Sequence, residues 1–542
     1  MNNWARIRLA IVFALGLYAL GLATAPARLA AQAPLTDLSP AIDAEGAFLD
    51  DDLPLSGLAQ RLRQLEDNQQ RLEGLLGPPP GQDSPAASLD DGDEPLPDYV
   101  FSPSYYNDLD VGARAIADYA PPGYEARDQQ EGPAELEYDR IDAPEELTAE
   151  EREKFVTRGL FPGSFLAPGT NTSVRLGGFV RLAGLFDFTP IGVPDAFVTN
   201  SIPAPQQSGQ NFNASGRISR FNLETWTPTS FRDWNVHTFI EGDFFNGVGQ
   251  AAGGGGNPFR LRHAFFDFGY FRFGQQNTVF MDASSWPSLV DFQGPNSWVN
   301  QRQPSMRMTL PLFGRWYWAT SIERPFSDIT ARDAGGASLG DNVQDIPDFA
   351  THLRFDGDRG HLQIAGLLRT IKFRPTGGDV QDLTASGISG TAVLHPWAIL
   401  TGANPLYDRS ACARSRLLMQ GTWGSGVGRY FNDLAGQGLD ATVDPVTGDF
   451  ELADASGWNA SYEQWFNEQW LMNFTYAAVD VDTQANLAAT TYNSANYTAA
   501  SLWWIPVPRL SLAVEYITGE RENLDGQSGR AERLHGLAQY NF

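Results

Sequence analysis

Val174-Arg175-Leu176-Gly177-Gly178-Phe179-Val180-Arg181-Leu182-Ala183-Gly184-Leu185-Phe186-Asp187-Phe188 is the stretch that decides the fold. Its even positions read Val174, Leu176, Gly178, Val180, Leu182, Gly184, Phe186 and Phe188, while the odd ones include Arg175, Arg181 and Asp187. Side chains on a β-strand point alternately to opposite faces, so this segment has one apolar face and one charged face. The period recurs. Over 234–244, Trp234, Val236, Thr238, Ile240, Gly242 and Phe244 alternate with Asn235, His237, Phe239, Glu241 and Asp243. Over 315–323, Trp316, Trp318, Thr320 and Ile322 alternate with Arg315, Tyr317, Ala319, Ser321 and Glu323. Charge on one face and aromatics on the other is the pattern of a barrel with a wet lumen and a lipid-facing exterior. A soluble antiparallel sheet also alternates, but there the charged face meets bulk water.

The same reading predicts sixteen strands, near 173–188, 216–226, 234–244, 259–269, 270–280, 304–312, 315–323, 346–356, 359–371, 384–395, 413–424, 457–466, 469–479, 492–504, 508–519 and 531–542. Short turns join several pairs, and long links such as 189–215, 324–345 and 425–456 alternate with them, as in outer-membrane barrels. The 396–412 link breaks this alternation and puts the register around 384–424 in question. An even strand number places both barrel ends on one side, expected to be the periplasm.

Composition narrows the class. The 542 residues include 54 Gly, 35 Pro and 14 Trp, and 12% of the chain is aromatic at a mean hydropathy of −0.30. No apolar run approaches the roughly 20 residues a spanning helix needs. A net charge of −27 speaks against nucleic acid as a partner, because phosphate binding needs basic surface. The single Cys412 excludes a disulfide framework and a thiolate-rich metal site. All basic residues except Lys154 and Lys372 are arginine, which reflects either codon composition or a use for guanidinium groups.

Ahead of the barrel, Arg6 and Arg8, the apolar run 9–22 and the small residues up to Ala31 have the order of a secretory signal, predicted over 1–31. A segment 32–54 follows. Leu55, Leu58, Leu62, Leu65, Gln69, Leu72 and Leu76 then alternate spacings of three and four, a heptad seam predicting an oligomerising coiled coil over 55–76. A single amphipathic helix packed on a core is the alternative. Residues 77–171 form an acidic, Pro-rich linker with a capping box at Thr148 and Glu151. Its aromatics, among them Tyr99, Tyr105, Tyr106 and Tyr138, suggest that part of it docks on or into the barrel of 172–542.

Pro162-Gly163-Ser164-Phe165-Leu166-Ala167-Pro168-Gly169-Thr170-Asn171-Thr172, continuing into Ser173 to Leu182, resembles the first strand of DcaP-like trimeric porins. Ser219-Arg220-Phe221-Asn222-Leu223-Glu224-Thr225, Ile240-Glu241-Gly242-Asp243-Phe244 and Arg260-Leu261-Arg262-His263-Ala264-Phe265 resemble later strands of that family. The resemblance covers about 160–310. It implies a sixteen-stranded homotrimer in the outer membrane, with a periplasmic coiled coil and passive uptake of small anionic solutes such as dicarboxylates. The acidic linker departs from the family pattern. The terminal alternation Leu534, Gly536, Ala538, Tyr540, Phe542 resembles the signal read by the barrel-assembly machinery.

Selectivity in such a pore comes from charge at a constriction. The link 281–303, with Asp282, Trp286, Asp291, Trp298 and Arg302, is the candidate constriction loop; an ordinary external loop is the alternative. Arg175, Arg181, Arg307, Arg354 and Arg369 share the polar parity of their strands, and Arg220 and Arg262 belong to weaker alternations. Inward guanidinium groups would form a ladder for anions. The alternative is a wall of balanced ion pairs, with Glu224, Glu241 and Asp243 opposite. His237, Glu241 and Asp243 share a face at spacings too long for tight metal coordination, so no metal is assigned. Gly253 to Gly256 lacks the Lys-Ser/Thr of a phosphate loop. None of the six His has a nucleophile motif, so neither an enzyme nor a cofactor is expected. The competing reading is an envelope tether with a narrow or plugged barrel.

Overall fold

The computed structural model describes residues 159–542, except 160, 162, 233, 247–256, 334, 404 and 406–410. The predicted signal, the 32–54 segment, the coiled-coil seam from Leu55 to Leu76, the capping box and Gly253–Gly256 lie outside the described residues.

All sixteen expected strands are present. They are β1 (Ser173–Asp187), β2 (Arg220–Pro228), β3 (Asn235–Asp243), β4 (Arg260–Phe268), β5 (Phe271–Asn277), β6 (Arg302–Pro311), β7 (Trp316–Glu323) and β8 (Asp348–Gly357). Then follow β9 (Gly360–Pro375), β10 (Gln381–Leu394), β11 (Arg416–Ser425), β12 (Asp454–Trp465), β13 (Trp470–Asp482), β14 (Tyr492–Val507), β15 (Leu510–Asn523) and β16 (Ser528–Asn541). Each pairs antiparallel with the next, and β1 pairs with β16 from Phe179↔Asn541 to Asp187↔Arg533, which closes the barrel. The other edge of β1 is shared. Asn211–Ser215 covers its far half, and β2 covers the near half, from Ser173↔Trp226 to Phe179↔Arg220. Where β2 takes over, Gly178 has φ 149°, and a Cβ there would sit 2.2 Å from the Arg220 carbonyl oxygen. Only glycine admits that approach.

The parity read from the sequence is the parity of the wall. On β1, Leu176, Val180 and Leu182 are 65%, 62% and 60% exposed on the outside, while Phe179, Arg181 and Leu185 are buried inside. The link between β10 and β11 accounts for the broken alternation. It lies at the short-turn end and carries the helix α1 (Pro396–Thr401), and the register from Ser386↔Ser425 to Leu394↔Leu417 is continuous. The extra residues therefore sit in the connection and leave the pairing intact.

The 278–301 and 426–453 connections turn inward and pack together. Trp286, Trp298 and Val299 are buried in one cluster with Tyr430, Phe431 and Leu434. Replacing Leu368 of β9, exposed on the outside, with Arg puts a charge on the outward face and is expected to destabilise the protein by about 2–4 kcal/mol in denaturant titrations in lipid bilayers. A loss under about 0.5 kcal/mol would mean that this face does not meet lipid.

Candidate pore constriction

The 278–301 loop leaves β5, crosses the lumen and returns to β6. At its base the Thr278 hydroxyl and the Val279 N–H both donate to Glu323 of β7, at 2.9 and 3.0 Å. Asp282 is the second fastening. Its carboxylate accepts from Arg354 of β8 (3.0 Å) and Thr391 of β10 (2.7 Å), and pairs with the His361 ring of β9 (2.8 Å). Burial pushes the Asp282 carboxyl up, but the His361 ring, the Arg354 guanidinium and the Ser284 hydroxyl outweigh it and hold the group well below the usual carboxylate range.

The tip is fastened on the other side of the barrel. The Ser288 N–H donates to Glu463 of β12 at 2.7 Å. The Val290 and Asp291 N–H groups donate to the two oxygens of Glu515 on β15, at 2.9 and 2.7 Å. Arg181 of β1 donates to the Val290 carbonyl, and the Trp503 indole of β14 to the Ser288 carbonyl. Asp291 is buried. It accepts the N–H groups of Phe197 and Gly294, each at 3.0 Å, and burial pushes its carboxyl up against the opposing effect of those bonds. The return limb locks on itself through Trp298, whose indole donates to Ser285 at 3.0 Å and whose ring meets Trp286 edge-on at 4.2 Å. Arg302 departs from the expectation. It opens β6 on the outward parity, opposite Asn277, and so belongs to the wall.

The predicted arginines point inward, and acids accompany most of them. Arg175 pairs with Glu224, Arg220 with Glu241 (3.3 Å), and Arg262 with Glu241 (2.9 Å) and Asp243 (3.2 Å). Arg354 bonds Asp356 as well as Asp282, and Arg369 bonds Asp348 (2.9 Å) and Asp440 (3.0 Å). Arg307 donates to Thr309 at 3.0 Å. The wall is thus the ion-paired arrangement. Its β1–β6 part still has more cations than anions. Arg175, Arg181, Arg220, Arg260, Arg262, Arg272 and Arg307 face in with Asp187, Glu224, Glu241, Asp243 and Asp267. His237 is held between Glu224 (3.0 Å) and Asp267 (2.6 Å), so the His237, Glu241, Asp243 face is engaged with side chains of the wall.

At the short-turn mouth, Phe161 packs on the inward Trp226 with ring centroids 6.1 Å apart, and the Arg175 guanidinium lies 5.4 Å from the Phe161 centroid. The described end of the linker therefore docks at the mouth. Tyr540 and Phe542 face outward at the same end. Sequence reading missed Glu323, Glu463 and Glu515, the acids that fasten the loop. Each sits at an inward position of a predicted strand, which was the available signal.

Asp282→Asn removes one partner of a buried pair and is expected to cost about 3 kcal/mol at pH 7 in thermal unfolding of the detergent-solubilised protein. The folded carboxyl titrates below its unfolded value near 3.9, so its contribution is present above that value and is lost as pH falls through the lower folded one. The difference between wild type and variant should be full at pH 5 and vanish only in strong acid. A difference that vanishes between pH 7 and 5 would show that Asp282 is not held as a carboxylate.

Residues 167–310 match the DcaP outer membrane protein family. No curated protein is similar to the chain by sequence. The outer membrane channel DcaP of Acinetobacter baumannii is similar in structure, with a TM-score of 0.57 and 20% identity over 71% of this chain and 100% of that one. An anion-selective porin from Comamonas acidovorans aligns with a TM-score of 0.44 and 12% identity over 68% of this chain and all of its own. The closed sixteen-stranded wall and its apolar exterior are the fold of an outer-membrane channel, and within it residues 167–310 are similar to the DcaP outer membrane protein family.

Proposed function

We propose that this chain is a trimeric porin for passive diffusion of small hydrophilic solutes, with preference for anions of the dicarboxylate kind. The observation that carries this reading is the 278–301 loop, which crosses the lumen and is fastened to opposite walls by Asp282 and Glu515. Such a loop narrows a sixteen-stranded barrel from an aqueous channel to a selective passage. The solute path runs beside it along β1–β6, where guanidinium groups outnumber carboxylates. A dianion would share the exposed Arg175 fork with its resident Glu224.

Orientation follows from the ends of the barrel: the short turns and the coiled coil in the periplasm, the long loops outside. Tyr540 and Phe542 would be read there by the assembly machinery. The outward strand tryptophans support a trimer. Trp316, Trp318, Trp423, Trp458, Trp470 and Trp504 lie on β7 and β11–β14, whereas the outward face of β16 and β1–β3 presents Leu534, Leu176, Val180, Leu182, Phe221 and Ile240. Tryptophan favours the membrane interface, so the tryptophan-bearing side faces lipid and the aliphatic side faces neighbouring protomers.

A second reading, a narrow or plugged barrel with mainly structural use, is favoured by the burial of Arg220, Glu241 and Asp243, which are 1%, 3% and 0% exposed. Single-channel recording of the full chain in a planar bilayer under a KCl gradient separates the two. Steps in groups of three with a reversal potential toward that of chloride are expected. Reversal toward potassium would overturn the anion preference, and absence of conductance would favour the plugged barrel.

A further inference from the structure

Gly390 of β10 and Gly421 of β11 stand directly opposite each other on the outward parity. The chain itself does not require glycine at either position. Neither has a left-handed backbone, the register runs unbroken through both, and a Cβ on either would meet nothing within 4 Å. Glycine inside a strand weakens it and often marks where something else approaches closely. With conformation and internal packing removed as reasons, the space belongs to a molecule outside the chain.

The two glycines floor a groove made of two adjoining apolar hollows, of about 360 and 380 Å³. Trp316, Ile364 and Met419 wall the lower hollow, and Trp423 and Trp458 the upper, which the Asp480 carboxylate of β13 also lines, so the acyl chain's apolar seat is the lower hollow and the two tryptophans. Its row is set by the pairing, since Ile364 faces Gly390 and Trp458 faces Gly421 across neighbouring strands. Below the lower hollow, two neighbouring turns each carry an exposed arginine. Arg315 pairs with the equally exposed Asp358 at 2.7 Å, and Arg359 donates to the Gly402 and Ala403 carbonyls at 2.7 and 3.1 Å.

The geometry points to one occupant: a glycerophospholipid of the periplasmic leaflet, with one acyl chain in the groove and its phosphate at Arg315 and Arg359. This rests on the lipid-facing side and the orientation given above. The groove is continuous with the apolar exterior of the barrel, and a guanidinium fork suits a phosphate. An exposed ion pair such as Arg315–Asp358 is weak and readily shares its cation. The tryptophan walls set this face apart from the aliphatic one assigned to neighbouring protomers.

Native mass spectrometry of the full chain, extracted in mild detergent from its membrane, tests this. The wild type is expected to retain glycerophospholipid. Gly390→Leu with Gly421→Leu fills the groove and should lower retention at least tenfold, while heat-modifiable migration and single-channel conductance stay as in wild type. Arg315→Ala with Arg359→Ala should lower retention severalfold. Unchanged retention in the glycine variant overturns the proposal, as does a wild type that carries no lipid or carries lipid A instead. Dissociation of an oligomer by the glycine variant also overturns it, because the groove would then hold a second copy of the chain. Conductance in the same preparation reports on the porin reading separately.

Discussion

In hydrocarbon no water is available to bond a stray backbone group, so every N–H and C=O of a spanning segment has to be satisfied within the protein. For strands, that constraint demands closure. Here it is met by the seam between β1 and β16, nine residue pairs from Phe179↔Asn541 to Asp187↔Arg533. The rest of the architecture depends on this seam. It sets the even strand number, brings both ends of the barrel to one side, and makes the inside of the wall a polar compartment. On the other edge of β1, Gly178 lets β2 approach at a distance no side chain allows.

Inside the wall, the dominant problem is the reverse. Charged groups away from bulk water need partners, and the loop crossing the lumen brings backbone groups that need them as well. The structure solves both together. Glu323, Glu463 and Glu515 on three strands accept N–H groups of the 278–301 loop, while Asp282 of the loop takes Arg354 and His361 of the wall. The loop is thereby part of the wall's electrostatics, and its position cannot shift without exposing paired charges. The same logic governs β1–β6, where Glu241 and Asp243 are each shared between arginines and Glu224 and Asp267 each between an arginine and His237, leaving a modest excess of positive charge.

The period of two made the strands legible, because a lipid exterior and a wet interior impose opposite demands on successive residues. All sixteen strands and the inward direction of Arg175, Arg181, Arg307, Arg354 and Arg369 follow from it, whereas Arg220 and Arg262 stand in weaker alternations and a bulge between Glu241 and Gly242 breaks the period at Arg262. The partners of these arginines were not legible, since alternation gives a side chain's direction and not its neighbour across the sheet. The crossing loop was legible only as a candidate. Its fastenings join residues as far apart as Val290 and Glu515, 225 positions along the chain. Arg302 was misplaced into that loop because a strand end has no local signal in a Gln- and Pro-rich stretch.

In the proposed function, the loop crossing between Asp282 and Glu515 sets the width of the passage. The direct measurement is the single-channel conductance of the full chain with residues 288–295 replaced by a Gly-Ser link, compared with wild type in the same bilayer. A severalfold rise in conductance with unchanged heat-modifiable migration is the predicted result. Equal conductance in the two proteins would contradict it and place the constriction elsewhere in the barrel.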